Sequence, residues 1–196
     1  DLVLAFAGTV TEHKGTVTIT DAPTVAQLKA INAATTGAIT LNITNGALSG
    51  SAADLVLAFA GTVTEHTGTV TITDVHTLAQ LKAINSATTG NITLNNYAVA
   101  LTGTPADVVT ALSGTFSAAY SGNIVFTAAH TQAQLNAVDA ATTGTITTFN
   151  SGGGGNGPIT GSAAEVIAQL AGKSDYTGAV TITDAPTVAQ LKAINA

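Results

Sequence analysis

An internal repeat constrains the fold of this 196-residue chain more than any other feature. Residues 1–13 return without change at residues 54–66, an offset of 53. Four copies of a glycine followed by a short apolar stretch occur in steps of 53, 54 and 56 residues, at Gly15, Gly68, Gly122 and Gly178. Self-similarity at a long fixed period indicates a repeat architecture. We therefore interpret residues 1–196 as a single array of about four partial copies.

Each copy begins with a predicted strand and helix. Residues 16–20 alternate threonine with Val17 and Ile19, which is typical of a strand with one apolar face. Thr24 and Gln27 then form a capping box, which predicts that a helix starts there. The same box recurs at Thr77/Gln80, Thr131/Gln134 and Thr187/Gln190. The leucine after each box is expected to face the core, at Leu28, Leu81, Leu135 and Leu191.

The helix is expected to end at a Thr-Thr-Gly sequence whose glycine supplies a left-handed turn, at Gly37, Gly90 and Gly144. A second unit follows, with short strands near residues 39–42 and 47–48 and a capping box at Ser51 and Asp54. Its copies stand at Thr104/Asp107, beside Pro105, and at Ser162/Glu165. The apolar helix after Ser51 is expected to pack between neighbours and to end at Gly61.

Strands alternating with single helices predict right-handed parallel β-α-β crossovers. We therefore predict an α/β fold, a right-handed α/β solenoid with stacked parallel strands on one side and helices on the other, similar in geometry to a leucine-rich-repeat horseshoe. A doubly wound open sheet is the alternative, and fourfold repetition disfavours it. A glycine-rich insertion at 151–157 lengthens the local period, and we expect it to form a loop.

Both chain ends fall inside predicted helices. Asp1 corresponds to Asp54 and Ala196 corresponds to Ala33, so neither terminal helix is complete. Solenoids normally carry polar caps at their ends. We therefore expect an excerpt of a longer array or a unit that stacks end to end.

The composition argues against two classes of partner. Only 8% of residues are charged, against roughly 25% in ordinary soluble domains. With 5 basic and 11 acidic residues the net charge is −6, which argues against nucleic acid as a partner. No apolar stretch is long enough for a membrane span. Weak charge repulsion instead favours self-association.

Catalytic chemistry finds little support in the sequence. The four histidines are expected to be solvated loop residues, at His13, His66, His76 and His130. Glu12 precedes His13 and Glu65 precedes His66, but no nucleophile motif accompanies either pair. We therefore predict that the chain is not an enzyme and has no catalytic, cofactor-binding or metal-binding residues.

Two repeated surfaces suggest binding as an alternative. Asp21, Asp74 and Asp184 share one corner after the first strand, where carboxylates could hold calcium. An Asx turn is the favoured interpretation of these residues, and Ala128 interrupts the series. Rows of threonine on the strands could bind ice or a glycan, although threonine is also an ordinary exposed strand residue; these are Thr16, Thr18, Thr20, Thr69, Thr71 and Thr73, with Val125 in the third copy.

Residues 181–196, with residues 48–55, resemble the tandem repeats of very large secreted surface proteins of bacteria, notably marine cyanobacteria. The resemblance implies an extracellular or cell-surface location and a role in surface layers, adhesion or motility. Such repeats often accompany calcium-binding nonapeptides, but the glycine tract here lacks their aspartate. The sequence thus predicts a non-catalytic structural segment that self-associates end to end or laterally into a filament, sheath or surface layer. The alternative is a module that binds a glycan, ice or calcium through the threonine face or the aspartate corners.

Overall fold

The computed structural model of the chain describes residues 2–6, 13–148, 158–170 and 178–195. Within them the chain is a mixed α/β protein. Its helices are α1 Leu2–Ala5, α2 Val25–Ala34, α3 Ala52–Ala58, α4 Leu78–Ala87, α5 Pro105–Leu112, α6 Gln132–Ala141, α7 Ala163–Leu170 and α8 Val188–Ile194. Its strands are β1 Val17–Ile19, β2 Ile39–Leu41, β3 Leu48–Gly50, β4 Val70–Ile72, β5 Ile92–Leu94, β6 Leu101–Gly103, β7 Ile124–Phe126, β8 Ile146–Thr147, β9 Ile159–Gly161 and β10 Val180–Ile182.

All strand pairs in the described residues are parallel and form small open sheets. The sheets are β1-β2, β3-β4-β5, β6-β7-β8 and β9-β10. In the second sheet Ser49 lies beside Thr71, and Thr71 lies beside Thr93. Parallel pairing and the interposed helices confirm the predicted strand-helix-strand units.

The described chain divides into two compact units. One contains residues 1–99 and 110–120, and the other contains residues 100–109 and 121–196. The first unit buries Val17 and Ile19 while Thr18 stays exposed, which confirms the predicted alternation. The second unit buries Ile124 and Phe126 in the same pattern.

Capping starts the helices where the sequence predicts. The Thr24 side chain accepts a hydrogen bond from the Gln27 N–H at 3.2 Å, and the Gln27 side chain accepts one from the Thr24 N–H at 2.9 Å. The boxes at Thr77, Thr131 and Thr187 have the same reciprocal bonds. These bonds satisfy two backbone donors that a helix start leaves without partners.

The predicted left-handed glycines at the helix ends are wrong. Among the described residues only Gly61 has a positive φ, of 73°. The helix α2 ends instead with Thr35 in extended conformation, and the Thr35 hydroxyl donates to the His13 carbonyl at 2.7 Å. Gly37 is needed for a different reason, because a Cβ there would collide with the Gly15 carbonyl. Close backbone approach, not φ, therefore selects glycine at this position.

Three further predictions concern membrane spans, the glycine-rich insertion and the leucines of the core. None of the helices in the described ranges is long and apolar enough to cross a membrane. The glycine-rich insertion at 151–157 lies outside the described residues. Leu28, Leu81 and Leu135 are buried as predicted, but Leu191 is 46% exposed.

Candidate functional site

Two of the corner aspartates, Asp74 and Asp184, each cap the N-terminus of a neighbouring helix. One Asp74 carboxylate oxygen accepts a 2.7 Å hydrogen bond from the backbone N–H of Ala52, the first residue of α3. Asp184 makes the same bond to Ala163, the first residue of α7, at 2.8 Å. The partner amide lies 22 residues away in one case and 21 in the other, so the predicted local Asx turn is wrong. A carboxylate at a helix N-terminus is stabilised by the exposed amides and the helix dipole.

The third copy lacks both partners of this bond. Pro105 occupies the place of Ala52 at the start of its helix and has no N–H to donate. Ala128 occupies the place of Asp74. The aspartate is thus absent in the copy where its donor is absent, which explains the interruption of the series without a ligand.

The bonds of the corner aspartates bear on the suggested calcium site. All three aspartates are exposed, and Asp74 and Asp184 each commit an oxygen to a backbone amide. Nowhere in the described ranges do three or more histidine, aspartate or glutamate side chains come together in a way that could hold a metal ion.

The prediction that the histidines are solvated is wrong for three of them. His66 and His76 are each 2% exposed and His130 is 5% exposed, while His13 is half-buried. Burial lowers the pKa of His66 and of His76 below the ordinary value. These rings are part of the packed interior, against aromatic neighbours such as Phe59 beside His66.

His66 joins two turns of the chain. Its Nε2 lies 2.7 Å from the Gly46 carbonyl oxygen, and because a carbonyl only accepts, Nε2 carries the hydrogen. In the next copy Tyr120 takes this position, and its hydroxyl donates to the Val99 carbonyl at 2.6 Å. Two different rings therefore make the same kind of bond to the backbone of the preceding turn.

The buried Tyr120 hydroxyl also contacts His76. His76 Nε2 lies 3.3 Å from that hydroxyl, which can accept because its own hydrogen goes to Val99. Burial raises the pKa of Tyr120, so the phenol stays protonated. His76 Nδ1 is buried without a hydrogen-bond partner.

Two asparagines for which we make no sequence-based prediction cap the ends of neighbouring helices. Asn32 Nδ2 donates to the carbonyls of Leu57 at 2.8 Å and of Ala60 at 2.6 Å, at the end of α3. Asn85 does the same at the end of α5, with a 2.6 Å bond to the Thr110 carbonyl. The recurrence of asparagine at one repeat position was the signal that could have found them.

Glu65 and His66 are adjacent in the sequence but differ in burial. Glu65 is exposed while the His66 ring is buried and bonded to Gly46. Glu12 lies outside the described residues. In the described part of the chain, the polar groups capable of proton transfer thus do not converge on a shared cleft at this turn.

The strands present a row of hydroxyl groups. The central or outward residue of nine of the ten described strands is threonine or serine, and β7 has Val125 instead. Thr93 Oγ1 and Ser117 Oγ lie 2.6 Å apart, which extends the row beyond β5. Strands in a sheet are spaced about 4.8 Å apart, so the hydroxyls repeat at that distance within each sheet.

A groove of about 440 Å³ lies in the first unit between α1 and β1. Leu2, Thr18, Asp21, Gln27 and Ile31 line it. Its described lining contains one carboxylate and no histidine, and thus no pair of groups for acid-base chemistry.

Comparison with protein-family models, curated proteins and solved structures finds no match to this chain. Its function is therefore inferred from its own residues.

Proposed function

We propose that this chain is a non-catalytic structural repeat segment of an extracellular, cell-surface protein that self-associates into a filament, sheath or surface layer. The observation that carries the proposal is that polar side chains of the chain bond to its own backbone. Asp74, His66 and Asn32 each form hydrogen bonds with the backbone of another turn of the chain. An active site needs such groups directed at a substrate.

These bonds act as joints between successive turns. Each connects residues 20 to 28 positions apart, a distance close to one strand-helix unit. Together with the parallel ladders, they support a right-handed α/β solenoid. Small-angle X-ray scattering would test this architecture, because a solenoid gives an elongated profile and a doubly wound sheet gives a compact one.

Low charge supports the self-association. The net charge of −6 is spread over 196 residues, so repulsion between molecules is weak. Several apolar side chains are also exposed, including Val75 at 65% and Val188 at 72%. The extracellular location rests on the resemblance of residues 181–196 to repeats of secreted bacterial surface proteins.

Negative-stain electron microscopy and sedimentation over a wide dilution range test the proposal. We expect long fibres, sheets or tubes at high concentration that shorten on dilution. Discrete particles of monomer mass at every concentration would overturn the self-association.

The hydroxyl row favours a second candidate function, binding of a glycan or of ice. Thr71, Thr93 and their neighbours form an uncharged polar surface of regular spacing. Thr71→Lys would disrupt this surface without touching the core. Loss of glycan binding or of ice-crystal faceting in that variant would support the candidate, and no binding by the unmodified protein would remove it. A melting temperature raised by millimolar calcium would favour the aspartate corners instead.

A further inference from the structure

An asparagine followed by a glycine lies in the connection between β2 and β3. Asn45 is exposed and Gly46 is half-buried, and neither belongs to a strand or a helix. Within the described residues the Asn45 side chain forms no hydrogen bond, and the Gly46 N–H donates none. The side-chain amide and the backbone nitrogen that follows it are therefore both free to react.

The other described asparagines lack this combination. Asn91 is exposed, but the N–H of the following Ile92 is bonded to the backbone of another turn. Asn42 and Asn195 precede isoleucine and alanine, whose side chains hinder attack by their own nitrogens, whereas glycine has no side chain to do so. The remaining asparagines hold their side chains in hydrogen bonds; these are Asn32, Asn85, Asn95, Asn96, Asn123 and Asn136.

The backbone around Asn45 contacts the next turn of the chain on both sides. The Thr44 carbonyl accepts a hydrogen bond from the Gly68 N–H at 3.2 Å. The Gly46 carbonyl accepts one from His66 Nε2 at 2.7 Å. A Cβ on Gly68 would lie 2.5 Å from the Asn45 carbonyl oxygen, so the two turns touch here. These bonds require the ordinary backbone spacing between Thr44 and Gly46.

We propose that Asn45 is a site of spontaneous deamidation through the Gly46 nitrogen, and that the isoaspartate formed there breaks the hydrogen bond between His66 and Gly46. Asparagine is a thermolabile residue. Isoaspartate carries the main chain through its side-chain carbonyl, which adds one carbon to the backbone and displaces the Gly46 carbonyl. The His66 ring is 2% exposed, and a buried donor without an acceptor destabilises the folded state. This chemistry does not depend on the proposed self-association.

The reaction balances with water as the co-reactant. The Gly46 nitrogen loses its proton and attacks the side-chain carbonyl carbon of Asn45. A C–N bond forms, the bond from that carbon to the amide nitrogen breaks, and the amide nitrogen leaves with the proton as ammonia. Water then opens the resulting succinimide at either carbonyl, which gives aspartate or isoaspartate. The net change replaces NH with O, and nothing is oxidised or reduced.

Mass spectrometry of the aged, folded protein tests the site. The chain has lysine but no arginine, so trypsin releases Asn45 in the peptide of residues 30–82. The second asparagine-glycine pair, at 156–157, lies outside the described residues and falls in a different peptide. After incubation at mildly alkaline pH, we expect this peptide to gain the mass difference between O and NH at residue 45. Asn32 and Asn42, in the same peptide, are internal controls and should stay unchanged.

Two variants separate the reaction from its effect. Gly46→Ala places a methyl group beside the attacking nitrogen and should slow deamidation several-fold. Its Cβ would lie 3.1 Å from the Ala22 Cβ, which a small shift relieves, and circular dichroism checks the fold. Asn45→Asp supplies the same new charge on an ordinary backbone. The aged protein, with its isoaspartate measured by an isoaspartyl methyltransferase, should melt below Asn45→Asp, whereas aged and fresh Gly46→Ala should melt alike.

Three results would overturn the proposal. A mass gain in protein unfolded in urea but not in folded protein would mean that the fold holds Asn45 away from the ring-closing geometry. Equally fast deamidation of Gly46→Ala would exclude the route through the Gly46 nitrogen. An aged protein that contains isoaspartate and melts with Asn45→Asp would show that the altered backbone leaves the His66–Gly46 bond intact.

Discussion

The carboxylate of Asp74 accepts a 2.7 Å hydrogen bond from the backbone N–H of Ala52, which lies 22 residues earlier in the chain. The bond gives α3 two caps, because the Ser51 hydroxyl accepts from Asp54 N–H at 3.1 Å in the same turn. One cap is local and the other comes from the next turn of the chain. Helix initiation and the stacking of turns are thus coupled through one side chain.

We predict that Asp74→Ala destabilises the protein by about 1 to 2 kcal/mol, the usual cost of losing a helix cap. The Ala52 amide loses its charged acceptor, although the Ser51 cap remains. Urea denaturation measures the change. Asp21→Ala, at the same corner of the first copy, is the matched control and should change the stability by less than half as much. Equal losses in the two variants would contradict a specific Asp74–Ala52 cap.

The third copy lacks the hydrogen bond between an aspartate and a helix N-terminal amide, and two substitutions would introduce it. We predict a favourable coupling between Pro105→Ala and Ala128→Asp. The free energy of unfolding of the double variant should exceed the value expected from adding the two single effects by about 1 kcal/mol. Pro105→Ala alone supplies an N–H without an acceptor, and Ala128→Asp alone supplies an acceptor without a donor. A double-mutant cycle measured by urea denaturation gives the coupling. A value near zero would mean that this corner of the third copy cannot adopt the geometry of the Asp74–Ala52 pair.

The local features of the fold could be predicted from the sequence because they depend on near neighbours. The Thr24–Gln27 box and the alternation of Val17 and Ile19 are set within a few residues. The joint between Asp74 and Ala52 spans 22 residues, and no local rule indicates it. One signal in the sequence does indicate this bond. The third copy has lost both its acceptor, at Ala128, and its donor, at Pro105.

The prediction of a solvated ring is wrong at His66 because its position shortly before Gly68 is typical of a turn. Tyr120 at the repeat position of His66 was evidence for a buried ring, since a tyrosine there needs room and a partner for its hydroxyl. The glycines were misjudged for a different reason. A sequence does not distinguish a glycine needed for positive φ, such as Gly61, from one needed for close backbone approach, such as Gly37.

Buried histidines predict a loss of stability in mild acid. Burial lowers the pKa of His66 and of His76 from the ordinary 6.5. Below that pH the unfolded chain binds protons that the folded chain does not, so stability falls as the pH drops and is constant above it. Each histidine contributes up to about 1.4 kcal/mol per pH unit until it is protonated in the folded state. Melting temperatures measured from neutral pH to mild acid should show this decline.

His66→Tyr should weaken that pH dependence. The change introduces the residue that the third copy has at this position, where Tyr120 bonds the Val99 carbonyl as His66 bonds Gly46. A tyrosine does not titrate in this range, so one of the two contributions is removed. A His66→Tyr profile that matches the unmodified protein would show that His66 is not the responsible group.

Alanine substitutions at Gly90 and Gly61 test the two reasons for a glycine, which are close backbone approach and a positive φ. A Cβ on Gly90 would collide with the Gly68 carbonyl, so Gly90→Ala must push two turns of the chain apart. We expect a cost of about 3 kcal/mol, at the upper end for overpacking, because backbone rather than a flexible side chain is displaced. Gly61 has φ of 73° and its nearest atom to an added Cβ is Asn32 Oδ1 at 3.5 Å, so Gly61→Ala should cost only about 1 kcal/mol.

Denaturation of the two variants in urea gives both values under the same conditions. Gly90→Ala should also lower the melting temperature more than Gly61→Ala, since both changes add a single methyl group but at Gly90 it meets backbone, whereas at Gly61 the cost comes from the left-handed φ. If Gly61→Ala proved the more damaging, left-handed backbone rather than the contact between turns would be the main reason that this repeat retains glycine.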